Sequence, residues 1–251
     1  MKNSIKLLKN LNRKSNKPFE IFNIFASNKK ILLFLFQKGF IIIDDNIYNE
    51  LRSKTDSNGN RYYHFFYLEL KKFIGEEKVN DIKIQFTAID SNIFEEKRQE
   101  GENDSFICSI IRQDSVEEFI EYVTRANLSL QGEVKSSLFE TNSFLLKDKH
   151  ATLIEYSAFF VSIQIFQFFR MNKIELKPLL WLYAIHSRNA ELIHLLETYQ
   201  VSPLVDNFER CLSESIKYHR NEIADYNENS TSNNDKIRKS EKKYFFHFEI
   251  S

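Results

Sequence analysis

Two stretches decide the reading: TLIEYSAFFVSIQIFQFFR, residues 152–170, and LLWLYAIHSRNAELIHLLE, residues 179–197. A shift of 27 residues lays one on the other, with Ile154 on Trp181, Ser157 on Ala184, Ile165 and Phe166 on Leu192 and Ile193, and Phe168 and Phe169 on Leu195 and Leu196. The match falls on apolar and small positions, where packing requires it. Each stretch reads as a short helix, a polar break and a second helix with apolar residues at i, i+3 and i+4. Such a hairpin cannot bury its own apolar face, so neighbouring hairpins must stack.

Looser copies stand on either side. FICSIIRQDSVEEFIEYV begins at Phe106, and CLSESIKYHRNEIADY begins at Cys211, placing Leu212, Ser215, Ile223 and Tyr226 in the same slots. The piece from Thr124 to His150 is a longer insertion between the first and second copies. Small residues such as Ser157, Ala158 and Ala184 let the paired helices approach closely.

Upstream, residues 1–30 are rich in lysine, with Ile5, Leu8 and Leu11 at helical spacing. Two readings stay open for them: a first helix packing one face on the domain, or a basic arm that meets membrane or nucleic acid. Dense apolar residues from Phe19 to Phe40 predict one buried helix, with Gly39 placed to end it. Asp44 or Asp45 can cap another helix through Leu51. KTDSNGNR, residues 54–61, reads as a loop, and the aromatic run from Arg61 to Ile74 must pack against something. Alternation at Ile82, Ile84, Phe86 and Ala88 predicts a strand over 81–88, and EEKRQEGEND, residues 95–104, reads as a charged connection. Downstream, NENSTSNNDKIRKSEKK, residues 227–243, is polar low-complexity sequence expected to be flexible, and the final YFFHFEIS either docks back or is exposed.

Composition narrows the class. Lys plus Arg and Asp plus Glu are both 35, so no net field draws the whole chain to nucleic acid or acidic lipid. With 24 Phe and 11 Tyr but only 5 Gly and 3 Pro, the chain favours helices over many tight hairpins. Cys108 and Cys211 stand far apart without a CxxC, which fits reduced thiols and a cytoplasmic protein. The N-terminal residues lack the apolar core of a signal peptide, and Ile31 to Ile43 is too short to span a bilayer.

Motifs for chemistry are missing. The glycines at 39, 59, 75, 101 and 132 are scattered singly, which leaves no phosphate-cradling loop, and neither GxSxG nor HExxH occurs. His186 with His194, and Cys211 with His219, are not zinc-ligand pairs. Cys108 sits among Phe106, Ile107 and Ile110, as a buried thiol does, and RYYHFFYLEL, residues 61–70, reads as core rather than as a base-stacking platform. The expectation is a protein without catalytic residues, cofactor, metal or small-molecule substrate.

The order of threonine, aliphatic residue, alanine-like pair, polar break and Glu/Gln-Ile-Val-x-x-Leu resembles the ankyrin repeat. More closely, the segments GENDSFICSIIRQDSVEEFIEYV, LIEYSAFFVSIQIFQFF and LWLYAIHSRNAELIHLLE are similar to a large family of uncharacterised ankyrin-like proteins from parasitic protists. The resemblance covers residues 100–226 strongly and the N-terminal part weakly. It implies an all-α fold: a helical N-terminal region over 1–100, an ankyrin-like helical-hairpin solenoid over 101–226, and a flexible polar tail with an aromatic end over 227–251. Relatives in that family carry further hairpins, so the resemblance also implies a shortened array. The usual proline is Leu153, the usual histidine Glu155, and the glycine of the break is Val161 in one copy and Arg188 in the next.

Function follows by the same route. The resemblance implies a non-catalytic protein–protein interaction module whose partner meets the end of each first helix. Carried over copy by copy, those positions are Arg112 and Gln113, Phe159 and Phe160, His186 and Ser187, and Lys217 and Tyr218. Phe159 and Phe160 together make an apolar patch that calls for a partner, unless the N-terminal region or the aromatic tail covers it. The alternative is a peripheral membrane or nucleic-acid adaptor using the basic N-terminal arm, which the neutral net charge disfavours.

Overall fold

The computed structural model describes residues 18–56, 59, 60, 62–75, 90–147, 151–201, 213 and 216. Among these residues the structure is all-helical, with 13 helices and no strand. In chain order they are α1 (Pro18–Phe25), α2 (Lys29–Gln37), α3 (Asp45–Ser53), α4 (Tyr62–Phe65), α5 (Tyr67–Ile74), α6 (Ser91–Glu100), α7 (Phe106–Gln113), α8 (Val116–Arg125), α9 (Ser143–Lys147), α10 (Leu153–Phe159), α11 (Ile163–Met171), α12 (Leu180–Ser187) and α13 (Ala190–Thr198). No described helix is long and apolar enough to cross a membrane. The strand expected over 81–88, the basic arm over 1–17 and the tail over 227–251 lie outside the described residues.

The chain divides into two compact units, Met1–Ser109 with Glu133–Ala151, and Ile110–Gly132 with Thr152–Ser251. Of the insertion between the first two hairpins, residues 133–150 belong to the first unit.

In the first unit the single helix expected from Phe19 to Phe40 is two. Asn28 breaks it, because its side chain accepts the Ile31 N–H at 3.0 Å and so caps α2. Gly39, with φ of +68°, closes α2 as expected: its N–H donates to Phe36 O and the Phe40 N–H to Leu35 O. Asp44 caps α3 through the Ile47 N–H at 2.9 Å. The stretch 95–104, read as a connection, is largely the helix α6. Asp90 starts it and Gly101, in the left-handed region, ends it, while Phe94 and Arg98, four residues apart, bury one face.

The core of this unit is aromatic, with Phe22, Phe65 and Phe66 fully buried and the Phe65 and Phe66 rings edge to face at 5.0 Å. Two cations lie inside it. Arg98 makes a two-pronged pair with Glu69 at 2.6 and 3.1 Å, bonds to Glu95, donates to Phe65 O, and faces the Phe65 and Phe94 rings. Lys29 pairs with Asp56 at 2.6 Å, with the two side chains 0% and 3% exposed. Burial lowers the Lys29 ammonium below its ordinary value although Asp56 opposes the shift, and burial beside the Asp56 carboxylate pushes the Tyr62 hydroxyl up to about 12. Residues 135–141 join this unit through their backbone, since Asn60 donates to Ser137 O, Asn103 to Lys135 O, and Lys29 to Leu138 O.

In the second unit α10 packs beside α12, α11 lies against α10, α13 against α12, and α8 against α11. Every residue from Leu153 to Ala158 and from Leu180 to Ile185 is buried, so α10 and α12 are enclosed on all sides. Their neighbours bury one stripe only: Phe119 and Val123, then Ile165, Phe166 and Phe169, then Leu192 and Leu196. Thr152 and Glu155 close a capping box at the start of α10.

Among the described residues, the six helices that end in this unit do so at a non-glycine residue with positive φ: Asp114, Asn127, Val161, Lys173, Arg188 and Gln200. Val161 and Arg188 are 27 residues apart, as are Lys173 and Gln200. At Val161 the N–H donates to Ala158 O and the next N–H, of Ser162, to Ser157 O; the same pair of bonds closes α11 at Lys173 and α13 at Gln200. A β-branched residue fits this conformation worst, at a cost of about 1–2 kcal/mol. Val161→Gly is therefore expected to stabilise the second unit by about 1 kcal/mol, read as a higher urea midpoint of Trp181 fluorescence.

Candidate interaction face

Six of the expected partner positions end the helices α7, α10 and α12, and contacts join four of them, Arg112, Phe159, Phe160 and His186, into one row. Inner-helix side chains up to Ala158 and Ile185 are buried, so only the last turns reach the surface. Phe159, Phe160, His186, Ser187 and Arg112 are half-buried there, and Gln113 is exposed. Lys217 and Tyr218 lie outside the described residues.

A continuous row of side chains crosses from one hairpin to the next. Arg112 donates from Nη1 to the Tyr156 hydroxyl at 2.8 Å and stands over the Phe160 ring at 5.8 Å. Phe160 touches Tyr156 at 4.6 Å between centroids and Phe159 at 5.0 Å, edge to face. Phe159 in turn stacks on the His186 imidazole at 6.2 Å. Ser187 turns inward, its hydroxyl donating to Ala184 O at 2.7 Å, so it shapes the helix end rather than the surface. The two phenylalanines are thus neither fully covered nor free of the fold.

Two residues absent from the expected set hold the rim in place. Tyr156 anchors Arg112 and supports Phe160 from four residues before it, a helical spacing legible in the sequence. Asp114, in the left-handed region, accepts the Gln164 and Ile165 N–H groups, both at 3.0 Å, and so caps the start of α11 from the preceding hairpin. That cap is needed because Ser162, before α11, makes no cap bond and sends its hydroxyl to Ile111 O. Before α13 the cap is local, with Asn189 accepting the Leu192 N–H. No sequence signal announces the remote cap.

Charge on the rim is mixed. Arg112 and Arg188 stand at the ends of α7 and α12, while Glu117, Glu118 and Glu191 sit in the first turns of α8 and α13. Comparison with family models, with curated proteins and with solved structures finds no match. Among the described residues no group of three His, Cys, Asp or Glu side chains stands close enough to hold a metal ion. The rim offers aromatic faces beside the Arg112 guanidinium.

Proposed function

We propose that the second unit is an ankyrin-like stack of helical hairpins that binds a protein partner through the rim of Arg112, Gln113, Phe159, Phe160 and His186. The observation that carries this reading is the aromatic row joined across three helix ends. Its rings are half-buried, fixed by neighbours and backed by enclosed helices, as rigid anchors of an interface are. The stacked architecture is supported by the matched closures 27 residues apart and by the side-by-side packing of α10 and α12. The small residues Ser157 and Ala184, both fully buried, allow that approach.

The partner is a protein rather than a small molecule, because the rim is a surface of several helix ends with charges of both signs. The test compares capture from a lysate of the source cells by the intact chain and by a Phe159→Ser, Phe160→Ser variant of unchanged helix content. Anchors of this kind contribute about 2 kcal/mol or more each, so recovery of the partner is expected to fall by more than about tenfold. Equal capture by both proteins would remove the rim from consideration.

A further inference from the structure

Residues 135–141 cross the first unit as a strap fastened at several points. Thr141 donates to Gly101 O from its N–H at 3.0 Å and from its hydroxyl at 2.8 Å, Ser137 Oγ donates to Asp104 at 2.8 Å, and the Phe139 ring meets Phe94 edge to face at 5.4 Å. Glu140 is the anomaly among these bonds. The residue is 5% exposed; its Oε1 accepts the Asn142 N–H at 2.8 Å, and its Oε2 is buried and receives no hydrogen bond.

One buried cation serves two buried carboxylates here. Lys29 attracts the Glu140 carboxylate and reaches the Glu140 backbone carbonyl at 3.4 Å, but it is already paired with Asp56 at 2.6 Å. An ionised Glu140 therefore adds a second buried negative charge to one balanced pair. Of the other charged groups on neighbouring elements, Glu102 repels it, Lys30 donates to Glu100 O, and Asp104 is paired with Lys97 at 2.8 Å.

We infer that Glu140 is a proton-operated latch: protonated, it seats the strap on the first unit, and ionised, it loosens the strap. Burial, with Glu102 adding to it, holds the carboxyl above its ordinary value against the backbone donors of Asn142, Thr141 and Asn103. A group raised in the folded state contributes stability that is complete below its unfolded value and lost as pH rises through its folded value. The strap is tightest below the ordinary glutamate value and loosens as pH rises through the raised one, by at most about tenfold in opening equilibrium per pH unit for one proton.

Hydrogen exchange of the full chain, corrected for the intrinsic pH dependence of exchange and followed in peptides covering 133–146, tests this between about pH 5 and about pH 8. Protection of the strap is expected to fall several-fold as pH rises, while Glu140→Gln keeps one level throughout. Protection independent of pH in the native chain, or an unchanged pH dependence in Glu140→Gln, overturns the latch. Should that variant fail to fold, carboxyl carbon NMR of the native chain decides, with the Glu140 signal assigned by its loss in Glu140→Asp. Titration above the ordinary glutamate value supports the latch, and titration at or below it overturns the proposal.

Discussion

Lys29→Met is expected to destabilise the first unit by about 3–5 kcal/mol, the usual loss when one partner of a buried ion pair is removed. The ammonium is enclosed by Asp56 at 2.6 Å, the carbonyls of Leu138 and Glu140, and the Tyr62 and Phe65 rings at 5.6 and 5.3 Å. Methionine fills much of the same volume, so the loss is electrostatic rather than a cavity. It leaves the Asp56 carboxylate, 3% exposed, without the Lys29 ammonium, while Asn60 still donates to it through its backbone and side-chain amides. Asp56→Asn is expected to cost a similar amount by stranding the ammonium, and the double variant less than the sum, because neither charge remains. Urea unfolding followed by far-UV circular dichroism measures all three. A loss below about 1 kcal/mol for Lys29→Met would mean that water reaches the pair.

Phe119→Ala is the counterpart in the second unit, with an expected loss of about 3–5 kcal/mol. Phe119 is fully buried on α8 and meets two rings of α11 edge to face, Phe169 at 5.3 Å and Phe168 at 6.0 Å. Truncation removes the transfer energy of the ring, leaves a cavity that fixed helices cannot close, and forfeits both ring contacts. The single tryptophan, Trp181, lies in the same unit, 4% exposed, with its indole N–H donating to Val201 O at 2.6 Å. Its fluorescence therefore reports this unit's unfolding directly. A midpoint shift equivalent to less than about 1 kcal/mol would show that α8 does not depend on α11.

These two positions were not equally visible beforehand. Phe119 belongs to an apolar stripe at i, i+3 and i+4, and the stripe alone predicts burial. Lys29 carries no such mark. Its partners lie 27, 109 and 111 residues away, and Arg98 is buried only because Glu69, 29 residues earlier, arrives with Phe65 to enclose it. Residues 95–104 were read as a connection for the same reason, since a charged string with one buried arginine has no apolar face to announce a helix. At the rim, Phe159, Phe160 and His186 were expected from the resemblance to ankyrin repeats, whereas the contacts that join them carry no mark in the sequence.

By itself, then, the sequence determined what depends on neighbours within a turn or two: helical rather than extended structure, the break at Gly39, a cap at Asp44 or Asp45, and the 27-residue offset of the two clearest hairpins. Dihedral preference, capping and apolar spacing act over that range. Only the tertiary structure decided where residues 133–151 go, which charges are buried, and which side chain caps α11. Each of those outcomes depends on removing a polar group from water. That is favourable only when a partner from elsewhere in the chain arrives to replace the water, and no local pattern records its arrival.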